Sequence, residues 1–260
     1  MIVVTGATGQ LGGAVVDRLL ERVPAERIGI RVRDPRKAVG FAERGVRVRR
    51  GDFDDAASLA EAFEDAEQVL LVSASATGEH MGANPASPFA PMPDHATTEV
   101  MLAESGLAFT ALRNGFYASS GVMLLGQALR TGEVAAPEDG PVSWTAHADL
   151  AEAAAIVLTE RSVDGPTAAL TGAAALDLAG IAAVASEVIG RLIRRTVVSD
   201  AQYREDLVAH GVPAPAAEML VGLFAASRDR EFAAVDPTLE RLLDRPPLSI
   251  RDVLAARSSG

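Results

Sequence analysis

The chain has 260 residues, 48% of them apolar, and carries a net charge of −11 with a pI of about 4.9. That balance argues against general nucleic-acid binding, which needs a basic face, and no apolar run approaches the ~20 residues of a membrane span. Cysteine is absent, which removes disulfides, thiolate catalysis and cysteine-held metals.

The first element is an apolar, β-branched strand over residues 2–5. It runs directly into Gly6-x-x-Gly9-x-x-Gly12, and Val15, Val16, Leu19 and Leu20 then mark one face of a helix over 12–22. A dinucleotide pyrophosphate needs this order. Gly6 permits the tight turn, Gly9 lets backbone approach phosphate, and Gly12 lets the helix pack close to the sheet. The helix start offers unpaired N–H groups and a positive dipole end to an anion. Thr8, Gln10 and Leu11 complete the candidate cofactor turn.

Strand and helix patterns then alternate: strands over 27–32, 46–49 and 68–73, helices over 35–44 and 56–63. This rhythm predicts an α/β fold with a Rossmann-like, doubly wound parallel sheet. The side chain after the second strand selects the ribose: a carboxylate suits the 2′-hydroxyl of NAD, an arginine the 2′-phosphate of NADP. Arg33 stands there and Lys37 follows one helical turn later, so NADP(H) is expected ahead of NAD(H). Asp34 is the competing NAD-type residue. Ten of the 24 basic residues fall between Arg22 and Arg50, a local excess that suits a small anionic ligand, although most of them individually read as solvated surface. Asp52 and Phe53 follow the third strand. Ser73, Ala74 and Ser75 close the fourth, where small side chains leave room for the cofactor's ribose.

The rhythm breaks over 74–94, a proline-rich irregular loop of a length that is usually functional. A helix over 94–105, capped by Asp94, and a strand over 107–113 follow. Further on come a helix over 122–130, a strand over 142–145 with the sole tryptophan, Trp144, and helices over 149–159, 176–190, 201–210, 215–226 and 248–256. Short strands fall at 167–171 and 195–199. The expected division is a dinucleotide-binding core over 1–160 and a small, mainly helical C-terminal substrate lobe over 161–260.

The glycine turn, Arg33-Asp34-Pro35, Gly51-Asp52-Phe53 and Leu112-Arg113-Asn114-Gly115-Phe116-Tyr117 occur together, with Val235-Asp236-Pro237-Thr238-Leu239 and Arg245-Pro246 near the end. In this combination the chain resembles the NmrA-like atypical short-chain dehydrogenases, most closely their NADPH:quinone oxidoreductase branch. The resemblance implies that Asp52 and Phe53 lie beside adenine and that residues 114–117 follow the strand facing the nicotinamide. One departure stands out: the helix and strand that follow the family's fourth strand are missing near His80–Met81. Three solutions are open. The strand over 107–113 pairs with 68–73, another segment fills the gap, or residues are absent from this numbering.

The usual short-chain dehydrogenase acid, a tyrosine with a lysine four residues on, is excluded. Lys37 is the only lysine, and Gly121 and Leu207 stand four residues after Tyr117 and Tyr203. A quinone accepts hydride with little help, so catalysis by placement suffices. Candidate pocket residues are Phe89, His95, Asn114, Phe116, Tyr117 and Trp144. The four histidines share no metal-ligand spacing, so no metal is expected. The expected partner is a quinone-like small molecule, with no nucleic acid or membrane and with a homodimer left open. Because the strand pattern starts at residue 2, no secretory leader is expected and a cytoplasmic location is. The competing function is a non-catalytic NADP(H) sensor of the NmrA type.

Overall fold

A computed structural model describes residues 1–72, 86–160 and 163–258. Strand β1 (Ile2–Thr5) leads to helix α1 (Gln10–Leu20), β2 (Ile28–Val32), a 3₁₀ turn at Pro35–Ala38 and α2 (Val39–Glu43). Then come β3 (Arg47–Arg50), α3 (Ala56–Phe63) and β4 (Gln68–Leu70). These strands form one parallel sheet in the order β3-β2-β1-β4. This is the doubly wound arrangement that the alternating pattern predicts.

The next elements are α4 (Pro91–Glu104), β5 (Thr110–Ala111), α5 (Ala118–Leu125), α6 (Ala128–Thr131), β6 (Glu133–Ala136), α7 (His147–Glu160) and β7 (Gly165–Pro166). The chain ends with α8 (Leu178–Ile189), β8 (Arg194–Val197), α9 (Asp200–Ala209), α10 (Ala214–Arg228), α11 (Thr238–Leu243) and α12 (Ile250–Ser258). None of the described helices is long and apolar enough to cross a membrane.

The chain forms two compact units. One joins Met1–Thr77 to His147–Val163; the other joins Gly78–Ala146 to Asp164–Gly260. In the first, β1 and β2 are wholly buried, and α1 turns Val15, Val16 and Leu19 inward. Helix α7 packs beside α1 and buries many small residues, Ala151, Ala153, Ala154 and Ala155 among them. In the second, Val122, Leu125, Trp144, Leu178, Ile181 and Phe224 belong to one buried cluster.

Several expected boundaries move. Helix α4 starts at Pro91, because proline suits the first helical turn, where its missing N–H costs nothing; Asp94 lies inside that turn rather than capping it. The 122–130 helix starts earlier and breaks into α5 and α6 around Gly126, whose φ is +49°. Trp144 lies in an extended stretch that makes only isolated bridges, Val142 to Leu176 and Thr145 to Tyr117. The strand expected over 107–113 shrinks to β5. It pairs with β7, and β4 pairs with β1 among the described residues. The proposed pairing of 107–113 with 68–73 is therefore not realised there.

Candidate functional site

The first unit builds an anion cradle from local geometry. Gly6 has φ +62°, the left-handed region that glycine enters without strain. The Gly9 N–H donates to the Gly6 carbonyl at 2.9 Å, and Gly13 N–H to the Gly9 carbonyl at 2.9 Å. Gly9 is the N-cap of α1, with no side chain to satisfy the first N–H groups and no acidic residue in the first turn. The helix start is thus left open for an external anion. A Cβ on Gly12 would collide with the Gly6 carbonyl oxygen and lie 2.7 Å from its carbon. Only glycine holds this turn against the helix.

Thr8 from the glycine turn, and Arg33, Asp34 and Lys37 from the end of β2 and the turn beyond it, line one open concavity of about 310 Å³. The two carboxylate oxygens of Asp34 are engaged by Arg36. Its backbone N–H and Nε donate to Oδ1 at 3.1 and 2.9 Å, and Nη2 donates to Oδ2 at 3.0 Å. These bonds hold the Asp34 carboxyl below the usual range. The NAD-type candidate is therefore partnered within its own turn, whereas Arg33 and Lys37 are exposed at the cavity wall.

Asp52 is half-buried and organises a turn. Its Oδ1 accepts from the Asp54 N–H at 3.3 Å, its Oδ2 lies 3.5 Å from Arg50, and its N–H donates to the Ser58 hydroxyl at 3.0 Å. Phe53 is 51% exposed beside it, a free apolar ring at the position expected for adenine. Ser73, Ala74 and Ser75 lie outside the described residues, as does the His80–Met81 junction. Just before them, the Thr5 hydroxyl accepts from the Val72 N–H at 2.9 Å and donates to the Leu70 carbonyl at 3.3 Å.

One basic residue departs from the solvated surface expected of it. Arg31 is 2% exposed. Its Nε donates to the Ala62 carbonyl and its Nη1 to the Ile30 carbonyl at 3.0 Å. Burial, with Arg49 and Arg47 adding repulsion, pushes its pKa down to about 10. Gly29 leaves room for the guanidinium, since a Cβ there would lie 3.0 Å from Nη1.

The second unit gathers most of the pocket candidates. The Gly115 N–H donates to the Leu170 carbonyl at 2.8 Å, Thr145 N–H to the Phe116 carbonyl at 2.7 Å, and Ala118 N–H to the Thr145 carbonyl at 2.9 Å. Residues 114–118 are thereby held along two neighbouring segments, with Asn114 exposed. Phe116 touches Phe89 (ring centroids 5.6 Å), Trp144 (5.6 Å) and Phe232 (5.1 Å). Burial pushes the Tyr117 phenol up. His95 is not part of this ring cluster; partial burial lowers its pKa against the opposing charge of Glu99. Glu99 itself is clamped by Arg113, whose Nε and Nη2 donate to its two oxygens at 3.0 and 2.7 Å.

Residues 1–84 match the NmrA-like family model. Quinone oxidoreductase 2 of Escherichia coli strain K12 is 31% identical, over 97% of this chain and 96% of its own length. The chain belongs to the NmrA-like family. Two solved relatives extend the likeness to the whole fold. A crystal structure of an NADPH-dependent quinone oxidoreductase from E. coli, complexed with NADPH, superposes with a TM-score of 0.93 at 30% identity, covering 99% of this chain and 100% of that one. The Citrobacter triphenylmethane reductase complexed with NADP(H) gives 0.90 at 27% identity, with coverage of 99% and 100%.

This NmrA-like chain is nevertheless short. The match to the K12 protein extends over 276 residues, yet 97% of this chain is only about 252. Roughly two dozen aligned positions thus have no counterpart here, about the length of one helix and strand. The end of β4 bears a matching sign: Val69 in the strand and Leu71 just after it are 44% and 50% exposed. Sequence reasoning also missed Phe232. The available signal was composition, because aromatics are only 4% of the chain and an isolated phenylalanine in a polar stretch needs a reason.

Proposed function

We propose that this protein transfers hydride from NADPH to a quinone or similar conjugated carbonyl, without a tyrosine–lysine acid. It is an NAD(P)H-dependent oxidoreductase whose cofactor is NADP(H). The observation that carries the reading is the convergence of Thr8, Arg33 and Lys37 on one cavity while Arg36 occupies Asp34. A guanidinium and an ammonium there suit a 2′-phosphate, and the open start of α1 suits the pyrophosphate. NADPH, when bound, supplies the hydride.

The protein's own groups bind and orient. Gly6, Gly9 and Gly12, with Thr8, Gln10 and Leu11, would hold the diphosphate, and Asp52 and Phe53 the adenine. Ser73, Ala74 and Ser75 keep their expected place beside the ribose as part of this proposal. In the second unit, Asn114 could donate to a quinone oxygen, with Phe89, Phe116, Tyr117 and Trp144 supplying apolar surface and His95 a polar margin. The half-buried Tyr117 phenol, pushed up by desolvation, keeps its proton at neutral pH, and the single lysine belongs to the nucleotide cavity. The hydride brings one of the two added hydrogens, so the hydroquinone takes its one remaining proton from water, and rate comes from placement.

The test is loss of NADPH absorbance with a panel of simple quinones, beside a binding titration. Turnover with several quinones is expected. NADPH binding with no turnover on any of them would replace this reading with that of a cofactor sensor.

A further inference from the structure

The chain has eleven aromatic residues in 260, and four of them meet in one place. Phe89, Phe116 and Phe232 form a triangle with centroids 5.1–5.9 Å apart and mutual tilts of 48–84°. Trp144 stands edge-on behind Phe116 at 85°. Trp144 is 5% exposed, and its Nε1 donates to the Leu176 carbonyl at 2.8 Å. The three phenylalanines are only half-buried. Phe116 and Phe232 pack on one side against the buried cluster that contains Trp144 and keep part of their surface open. Flat faces with a quadrupole are suited to another π system.

Each ring is also fixed through its backbone. The Phe232 carbonyl accepts from Ser143 N–H at 2.9 Å, and the Ser143 hydroxyl donates to the Ala234 carbonyl. Gly222 of α10 lets the chain carrying Phe89 lie against it: a Cβ there would collide with the Pro88 carbonyl oxygen and come within 3.4 Å of the Phe89 Cα. Phe116 is held by the Thr145 bond already described. A wall held this way loses little side-chain freedom when something flat lies on it.

We infer that Phe89, Phe116 and Phe232 form an acceptor wall that favours multi-ring planar substrates, and that Phe232 is its specificity-determining residue. This rests on the quinone-reductase reading and deepens it. Because the rings are tilted by 48–84° to one another, a two-ring acceptor lying on one ring face reaches the edge of the next, whereas a single ring gains little from the third.

Trp144, the only tryptophan, provides a readout that needs no turnover. Naphthoquinone titrated into cofactor-free protein is expected to quench its fluorescence, and Phe232→Leu to weaken that binding by about three- to tenfold, the value of one aromatic contact. Benzoquinone binding should change less than about twofold on the same scale. Phe232→Tyr should retain naphthoquinone binding, and the KM ratio of the two quinones should move with the Kd ratio. Equal weakening of both quinones, or a lowered melting temperature with unchanged selectivity, would make Phe232 a packing residue and overturn the inference. Selective quenching without any NADPH oxidation would keep the wall and remove the reductase. Turnover with an unchanged quinone ratio would do the reverse.

Discussion

Arg33 and Asp34 are adjacent, yet the structure gives them opposite fates. Asp34 spends its oxygens on Arg36, while Arg33 faces the cavity with Lys37. A charge-assisted bond to phosphate contributes about 1.5–3 kcal/mol. Arg33→Ala is therefore expected to weaken NADPH by about 10- to 100-fold and to leave NADH within about threefold, measured by fluorescence titration. Equal loss for both nucleotides would remove Arg33 from the phosphate site. Histidines set a second prediction. Burial lowers the pKa of His147, and of His95 against the pull of Glu99. The unfolded chain then binds more protons than the folded one between the lowered values and the ordinary 6.5. Stability accordingly rises with pH across that window and falls on acidification. Urea midpoints should drop from about pH 7.5 to about pH 5, and the double change His95→Gln with His147→Gln should flatten that slope. Asp34 and Glu99, held below ordinary carboxyl values, titrate in a more acid range.

The β1–α1 turn was readable from sequence because its requirements are local. A positive φ at Gly6 and a steric limit at Gly12 are met within seven residues. Gly12→Ala is expected to cost about 1–3 kcal/mol as an overpacking change and to abolish NADPH binding, checked by denaturation and titration. Retained binding would show that the turn can shift to admit a methyl group. Elements whose partners are distant in sequence were harder to read. β6 has the sequence Glu-Val-Ala-Ala, with weak strand propensity, and exists because β8 pairs with it about sixty residues later. The buried state of Arg31 rests on a carbonyl of α3, with Gly29 leaving room for its guanidinium. Helix α11 grows from Asp236, whose Oδ1 accepts from Thr238 N–H at 2.8 Å and whose N–H donates to the Thr171 hydroxyl at 2.9 Å. The motif containing Asp236 was visible in the sequence; the helix it starts was not.

Over the whole chain, a shortfall of roughly two dozen positions against the K12 relative stands beside exposed apolar residues at the end of β4, Val69 and Leu71. A strand of a parallel sheet is ordinarily covered on both faces. Val69 and Leu71 are each about half exposed here, so Val69→Thr with Leu71→Lys should cost no more than about 2 kcal/mol. The same pair should reduce binding of an apolar dye and self-association, read by fluorescence and light scattering. A large loss of stability would mean that this face is covered in solution.

The scarcity of one residue type has a practical consequence. The only lysine, Lys37, sits exposed in the wall of the cavity that also holds Arg33. The α-amine of Met1 is paired with Glu67 at 2.9 Å. An acylating reagent thus meets a single side-chain amine. A dye, tether or crosslinker coupled through it would land at the nucleotide cavity, so covalent labelling of this protein doubles as a footprint of cofactor occupancy.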